Sequence, residues 1–452
     1  MPRDSPQLID GLTALLRDHG VVGEVRDLRQ LSGGASRETW SLDLATAEGS
    51  RPLIVQRLRA GTSGGGPGML GEAALIEAAG ALGVPVAQVV AVDAGAATGA
   101  PCMVMDRLAG ETIARKLLRD DTWAHARTVL VAQAGRALAA IHTIDAGAAP
   151  SLRFADQLEE MRDLLFGFDQ PLPAFELGVR WLERHRPATP RTTVVHGDFR
   201  LGNLIVDEDG LRGVLDWELA HLGDPIEDLG WYCVRAWRFG SRLPAGGMGT
   251  REELIKAYES AGGPTVDPEV LRWWELLGTL KWGLICVLQA QVHLGGAARS
   301  VELAAIGRRV CENEWDVLAL LPGGDLPHAE DGLVEPSQQL YGRPSARELV
   351  EAVREWVERD VRDATEGRVA FHARVAVNAL AMVERELALA PGHTAAHEER
   401  LRTLGCLDDA QLAARIRSGA LDDRAEEVRL LVAGSVRAKL EVANPRWLEP
   451  DR

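Results

Sequence analysis

Apolar residues follow two rhythms along this chain. Through the first hundred residues they form short runs of four to seven, Leu28–Leu31, Thr39–Leu44, Leu53–Leu58, Val86–Val92 and Cys102–Met105, separated by Gly, Pro and Asp. Short runs bounded by turn formers predict β-strands. Between them, Gly71 to Leu82 carries Ala, Leu and Ile at helical spacing and stops at Gly83 and Pro85, which predicts one helix inserted into a small sheet. Gly61–Gly68 reads as a loop. From Glu111 the period lengthens, and helices are expected at Trp123–His142, Ala155–Phe166 and Leu172–His185. A strand-rich island follows at Thr192–Val195, Leu204–Val206 and Gly213–Asp216, with Asp207-Glu208-Asp209-Gly210 as a hairpin turn. Helices then resume, one of them at Asp267-Pro268-Glu269, where Asp caps and Pro takes the first helical position. Leu321 to Pro344 is rich in Pro and Gly and lacks periodicity, as a linker would. Ser345-Ala-Arg-Glu348 then has the form of a capping box, and Leu349, Val350, Val353, Trp356 and Val357 follow on one helical face.

These patterns divide the 452 residues into a β-rich segment 1–108, a mostly helical segment 109–320, a linker 321–344 and a helical module 345–452. The 46% hydrophobic content is enough for sizeable cores, and the formal charge of -16 argues against nucleic-acid or membrane-surface binding. The five cysteines lie far apart without a Cys-x-x-Cys pair, as expected of reduced thiols in the cytoplasm. The polar Met1–Asp10 does not resemble a signal peptide, and the apolar stretch Trp273–Val292 is interrupted by Glu275 and Lys281, which predicts a buried helix and no membrane span.

The informative chemistry is His196-Gly-Asp198-Phe-Arg-Leu-Gly-Asn203, followed after the hairpin by Asp216-Trp217-Glu218. Asp198 leaves a strand at a glycine, Asn203 re-enters one, and the hairpin returns Asp216 to the side of Asn203. An amide oxygen and a carboxylate meeting in this way suit Mg²⁺, a hard cation that shares its oxygen ligands with phosphates. Asp198 is then left to accept a proton from a hydroxyl, which is the layout of phosphoryl transfer. Asp and Asn favour turns for their own reasons, but a turn explanation covers one such residue better than the ordered set of three.

His196–Asn203 with the later Leu215-Asp-Trp-Glu-Leu-Ala-His-Leu-Gly-Asp-Pro225 resembles the aminoglycoside phosphotransferase-like branch of the protein-kinase-like fold, and most closely the kinase domain associated with acyl-CoA dehydrogenases. The resemblance covers roughly residues 25 to 320. It implies an α+β, two-lobed protein-kinase-like fold, with an all-α module behind it as in some bacterial members. It also implies ATP and Mg²⁺ as cofactors, Asp198 as base, Asn203 and Asp216 as metal ligands, and His196 as a loop-pinning residue rather than a base. Asp224 and Asp228 are open to a metal role; a turn or cap for Asp224 and a buried loop-orienting acceptor for Asp228 are preferred. Glu218, on the same alternating face as Asp216, is open to a water-mediated metal contact or a surface role.

On the nucleotide side, Ser32-Gly33-Gly34-Ala35-Ser36 would let backbone N–H groups approach phosphates. The resemblance expects a lysine or arginine on the third strand paired with a helix glutamate. Gln56 occupies the expected slot with Arg57 adjacent, and Arg57 is chosen, with Glu72 as its partner. Met105, Asp106 and Leu108 form the expected hinge for adenine. Trp231, Trp237, Trp273, Trp274 and Trp282 suit core packing first and an apolar acceptor groove second. Arg200 and Arg235 could meet an anion. The expectation is an ATP- and Mg²⁺-dependent phosphotransferase acting on a hydroxyl of a small molecule such as a hydroxyacyl compound. The alternative is a nucleotide-binding pseudokinase that regulates or scaffolds. The C-terminal helices offer a surface for a homodimer. Their His393 and His397, an i, i+4 pair, are expected to be solvated or capping residues, since no third metal ligand lies nearby.

Overall fold

The computed structural model of the chain describes residues 5–31, 37–59, 66–187, 191–298, 300–327 and 345–449. In chain order the elements are α1 (Ser5–Asp18), β1 (Glu24–Gln30), β2 (Arg37–Thr46), β3 (Gly49–Leu58), α2 (Gly68–Ala81), β4 (Val89–Asp93), β5 (Cys102–Asp106), α3 (Ala114–Arg119), α4 (Ala124–Ile141), α5 (Gln157–Phe166) and α6 (Pro173–Arg184). The island contributes β6 (Thr193–Val195), β7 (Leu204–Asp207), β8 (Gly210–Val214) and β9 (His221–Gly223). The rest is helical: α7 (Ile226–Cys233), α8 (Arg251–Ser260), α9 (Pro268–Leu294), α10 (Val301–Arg308), α11 (Val310–Leu320), α12 (Ala346–Trp356), α13 (Gly367–Thr403), α14 (Asp409–Arg417) and α15 (Ala425–Ala443). Contacts group these into two compact units, Met1–Asp156 with Pro187–Glu275, and Gln157–Arg186 with Leu276–Arg452.

In the first unit, an antiparallel sheet of order β1-β2-β3-β5-β4 is covered on one face by α1. Leu8, Leu12, Leu15 and Leu16 lie at helical spacing and bury against Leu42, Leu44, Leu53 and Val55. This N-terminal helix is absent from the sequence expectation, although its leucine spacing is the signal for it. Pairing of β2 with β3 sets Trp40 opposite Val55 and Leu42 opposite Leu53 on the α1 face. Strand alternation then sends Arg37, Thr39, Ile54 and Gln56 to the other face. The β7–β8 hairpin turns where the acidic tetrapeptide predicts, and Gln133 of α4 grips it, donating to Asp209 O at 3.0 Å and accepting from Leu211 N at 2.6 Å.

In the second unit the helices after residue 345 pack on one another, α13 against α12 and α15, and on earlier helices. α6 and α11 pack against α14 and α15. Lys439 Nζ pairs with Glu314 at 3.0 Å, Trp447 Nε1 donates to Asp316 at 3.1 Å, and Arg417 pairs with buried Glu176. Segments 157–186 and 276–320 group with the C-terminal helices in this unit, and residues 328–344 of the expected linker lie outside the described residues. His393 bonds Glu441 at 3.1 Å and His397 bonds Ser435 at 2.9 Å, so both imidazoles join α13 to α15. All five cysteines are free and buried. Among the described residues, no helix is long and apolar enough to cross a membrane.

Candidate active site

The segment His196–Asn203 is held first through its backbone. β6 ends at Val195, and Gly197 turns the chain with φ of 78°. A Cβ there would sit 2.4 Å from Leu219 O, so the tight turn and the close approach both require glycine. Asp228, on the first turn of α7, has no exposed surface and accepts the N–H groups of His196 at 2.8 Å and Gly197 at 2.9 Å. Its Oδ2 also meets His142 Nε2 at 3.1 Å, whose other ring nitrogen bonds Tyr258 at 2.8 Å. Burial opposes the Asp228 charge, but His142, with the ring and the N–H of His196, outweighs it and holds its pKa below the ordinary value. Asp224 accepts Ile226 N at 2.9 Å and so caps α7.

His196 is fully buried, which pushes its pKa down, and its ring spans the loop. Nδ1 accepts Asp198 N–H at 3.2 Å, leaving Nε2 to donate to Leu215 O at 3.0 Å, directly before Asp216. The imidazole thus ties the Asp198 turn to the backbone just before Asp216 and has no ring nitrogen left for proton transfer.

Asp198 and Asn203 are joined directly. Asn203 Nδ2 donates to Asp198 O at 3.0 Å and to Asp198 Oδ2 at 2.6 Å. Both amide hydrogens are then committed, and the amide presents Oδ1 as its remaining polar atom. Leu215 N donates to Asn203 O at 2.9 Å, which brings Asp216 back beside Asn203. Asp216 adopts a left-handed conformation with φ of 65°, a strained geometry typical of functional turns. Burial, with Glu218 and Asp198 nearby, raises its pKa from 3.8 to about 6. Among the described residues, no three His, Cys, Asp or Glu side chains converge as a metal cage. Asn203 and Asp216 are the two oxygen-bearing side chains here that could hold Mg²⁺, a cation that keeps water and phosphate oxygens as its other ligands. Glu218 does not continue a strand: residues Trp217–Leu219 form a 3-10 turn, and Glu218 Oε2 lies 3.1 Å from Arg37 Nε.

The nucleotide side corrects the expected pairing. Arg57 does not reach Glu72; it pairs with Glu38 at 3.3 Å on the α1 side of the sheet. Glu72 instead receives a bidentate pair from Arg37, Nη1 to Oε2 at 2.6 Å and Nη2 to Oε1 at 2.5 Å. Gln56 Oε1 stands 3.5 Å from Arg37 Nη1 on the same face. Burial works against the Arg37 charge, but Glu72 outweighs it and holds the guanidinium pKa above its ordinary value. The choice of Arg57 fails by strand parity. Leu53 and Val55 are buried toward α1, and Arg57 is the next residue of that alternation. The same alternation from Trp40, Leu42 and Leu44 marks Arg37 as facing the other way, and that signal lay unused in the sequence.

Ser32, Gly33, Gly34, Ala35 and Ser36 lie outside the described residues. Met105 is buried opposite Ile54, on the Gln56 face. Asp106 N–H is spent on Gln88 O at 3.0 Å, and its carboxylate on Arg51 at 2.7 Å, so Asp106 could offer an adenine only its carbonyl. Leu108 packs close to Gly213 of β8, where an added Cβ would meet its Cδ1 at 2.5 Å. Trp231, Trp237, Trp273 and Trp274 are buried, and Trp231 reaches the site: its Nε1 donates to Asp198 Oδ1 at 2.8 Å. Neither this contact nor the His142 support is visible in the sequence pattern.

A small antiparallel sheet, a helix-borne glutamate paired with a cation, and a loop and hairpin that join Asp198, Asn203 and Asp216 define a kinase-like phosphotransferase fold. A family model described as "Phosphotransferase enzyme family" matches residues 27–274, more than half of the chain, and the chain belongs to that family of enzymes. A second model, "Domain of unknown function (DUF6285)", matches residues 363–447. Mouse acyl-CoA dehydrogenase family member 10 is 47% identical over 75 residues, 16% of this chain and 7% of that protein. Mouse acyl-CoA dehydrogenase family member 11 is 34% identical over 116 residues, 23% of this chain and 15% of that protein. The matches thus span only a small part of those relatives. The solved structure of a proposed aminoglycoside phosphotransferase from Ralstonia eutropha superposes with a TM-score of 0.54 at 23% identity, covering 68% of this chain and 97% of that one, which shows the fold.

Proposed function

We propose that this enzyme transfers the γ-phosphoryl group of ATP, with Mg²⁺, to a hydroxyl of a small molecule. The observation that carries the reading is the convergence of Asp198, Asn203 and Asp216 around one loop and hairpin. When bound, magnesium–ATP supplies the phosphoryl group and neutralises the charge on its oxygens. Asp198 takes the acceptor proton as the hydroxyl oxygen bonds to phosphorus and the bond to the bridging oxygen breaks. Asn203 fixes the Asp198 carboxylate through Nδ2 and would hold the cation through Oδ1, together with Asp216. Arg37, locked by Glu72, steadies the triphosphate with the N–H groups that the bidentate pair leaves over. Positioning and charge complementarity supply most of the acceleration.

The acceptor is proposed to be a hydroxyacyl compound, because the relatives matched include acyl-CoA dehydrogenase family members. Five buried free thiols fit a cytoplasmic setting. The rival reading, a nucleotide-binding regulatory domain without turnover, draws on Gln56 standing where a cation is expected. Arg37 removes that support, since it supplies the cation from the neighbouring strand. The test is transfer of label from γ-³²P-ATP to a panel of hydroxyacyl thioesters, with thermal stabilisation by ATP measured with and without Mg²⁺. Turnover at the wild-type rate in Asp216→Ala, or ATP stabilisation indifferent to chelator, overturns the assignment.

A further inference from the structure

Helix α7 holds the catalytic loop at two points. Asp228 takes the backbone N–H groups of His196 and Gly197, and Trp231, one turn later on the same face, takes the side chain of Asp198. From Trp231 the contacts close into a ring. Its indole lies against Trp237 with centroids 5.2 Å apart, and the Arg200 guanidinium sits over Trp237 at 4.7 Å. Arg200 Nε then returns to Asp198, 3.0 Å from Oδ1 and 3.2 Å from Oδ2.

A carboxylate oxygen offers about two lone-pair directions. Trp231 Nε1 holds Oδ1 at 2.8 Å, Asn203 Nδ2 holds Oδ2 at 2.6 Å, and Arg200 Nε donates between the two oxygens. Rotation about the Asp198 side chain would break the hydrogen bonds from all three donors at once, and the longest of them, Arg200 Nε to Oδ2 at 3.2 Å, is the one an acceptor hydroxyl displaces most easily. Core packing alone explains a buried Trp231. It does not explain why the one N–H of the indole ends on a side-chain oxygen of Asp198.

We propose that Trp231 is a positioning residue, one that fixes the rotamer of Asp198 so that Oδ2 meets the acceptor hydroxyl. The proposal rests on the reading of Asp198 as the base. Its class of effect is on turnover, because the indole N–H bonds the base itself.

Trp231→Phe keeps an aromatic ring and deletes the N–H. With Mg-ATP and the hydroxyacyl thioester panel, and with phosphate release to water as the acceptor-free assay, kcat is expected to fall roughly ten- to a hundredfold while the KM for ATP stays unchanged. In an Asp198→Asn background the same substitution should cause no further fall, since the group it positions is gone. An unchanged kcat, a loss carried by KM, or an equal fall in both backgrounds overturns the proposal. A measurement independent of turnover is the Trp231 indole N–H resonance, identified by its disappearance in Trp231→Phe. It should move on Asp198→Ala; a resonance indifferent to that change also overturns the proposal. Wild-type turnover in Asp198→Asn would instead remove the base assignment, while the resonance would still report whether the Trp231 bond exists.

Discussion

Arg37 and Glu72 are a buried pair, with side chains 9% and 1% exposed, so deleting the Arg37 charge strands Glu72. In Arg37→Met the stem keeps its bulk, but Glu72 stays in a pocket that already pushes its pKa up through burial. Breaking one half of a buried ion pair costs about 3–5 kcal/mol. At about 2–4 °C per kcal/mol for a unit of this size, the melting temperature should drop by roughly 6–20 °C. The companion change Glu72→Leu, made in the same chain, removes the stranded carboxylate and should recover most of the loss, because an apolar pair in that space is roughly neutral. Scanning calorimetry on the wild type, the two single variants and the double variant yields the coupling directly. Adding Gln56→Lys to Arg37→Met should also restore part of the stability, since Gln56 already lies 3.5 Å from the Arg37 guanidinium. A single variant that melts within about 2 °C of the wild type, or a strictly additive double variant, would refute the reasoning.

Arg57→Met is the contrast: its pair with Glu38 is a quarter exposed on each side, so stability should change by no more than about 1 kcal/mol and ATP affinity should hold. The raised Asp216 pKa, about 6 against 3.8, means that between those values the folded chain keeps a proton that the unfolded chain has released. Metal-free stability should therefore fall as pH climbs through that window. Asp216→Asn should gain on the order of 2–3 kcal/mol above it and nothing at lower pH, as pH-dependent denaturant titrations would show. Gly197→Ala puts a Cβ against the Leu219 carbonyl at positive φ, and phosphoryl transfer should fall to background while circular dichroism stays native-like. Asp228→Ala leaves two buried N–H groups without their acceptor, and should cost about 1–3 kcal/mol for each in a chemical denaturation series.

The sequence alone determined the parts of this enzyme that are local. His196 to Asp216 is a strand, a turn and a hairpin, and chain geometry within twenty-odd residues suffices to bring Asp198, Asn203 and Asp216 together. The acidic turn, the Asp-Pro-Glu start of α9 and the capping box of α12 were likewise legible, because each is a contact between residues a few positions apart. Tertiary structure decided everything that depends on which face a strand turns to which neighbour. Arg37 reaches Glu72 across 35 residues, Trp231 reaches Asp198 across 33, and His142 reaches Asp228 across 86. Strand parity could have excluded Arg57, but only once α1 was known to cover the face of Leu53 and Val55. The same holds for the C-terminal helices, whose amphipathic pattern announces a buried face without naming its partner. Periodicity encodes that a face is apolar; the pairing of faces is set by packing over the whole chain, and no short window of sequence contains it.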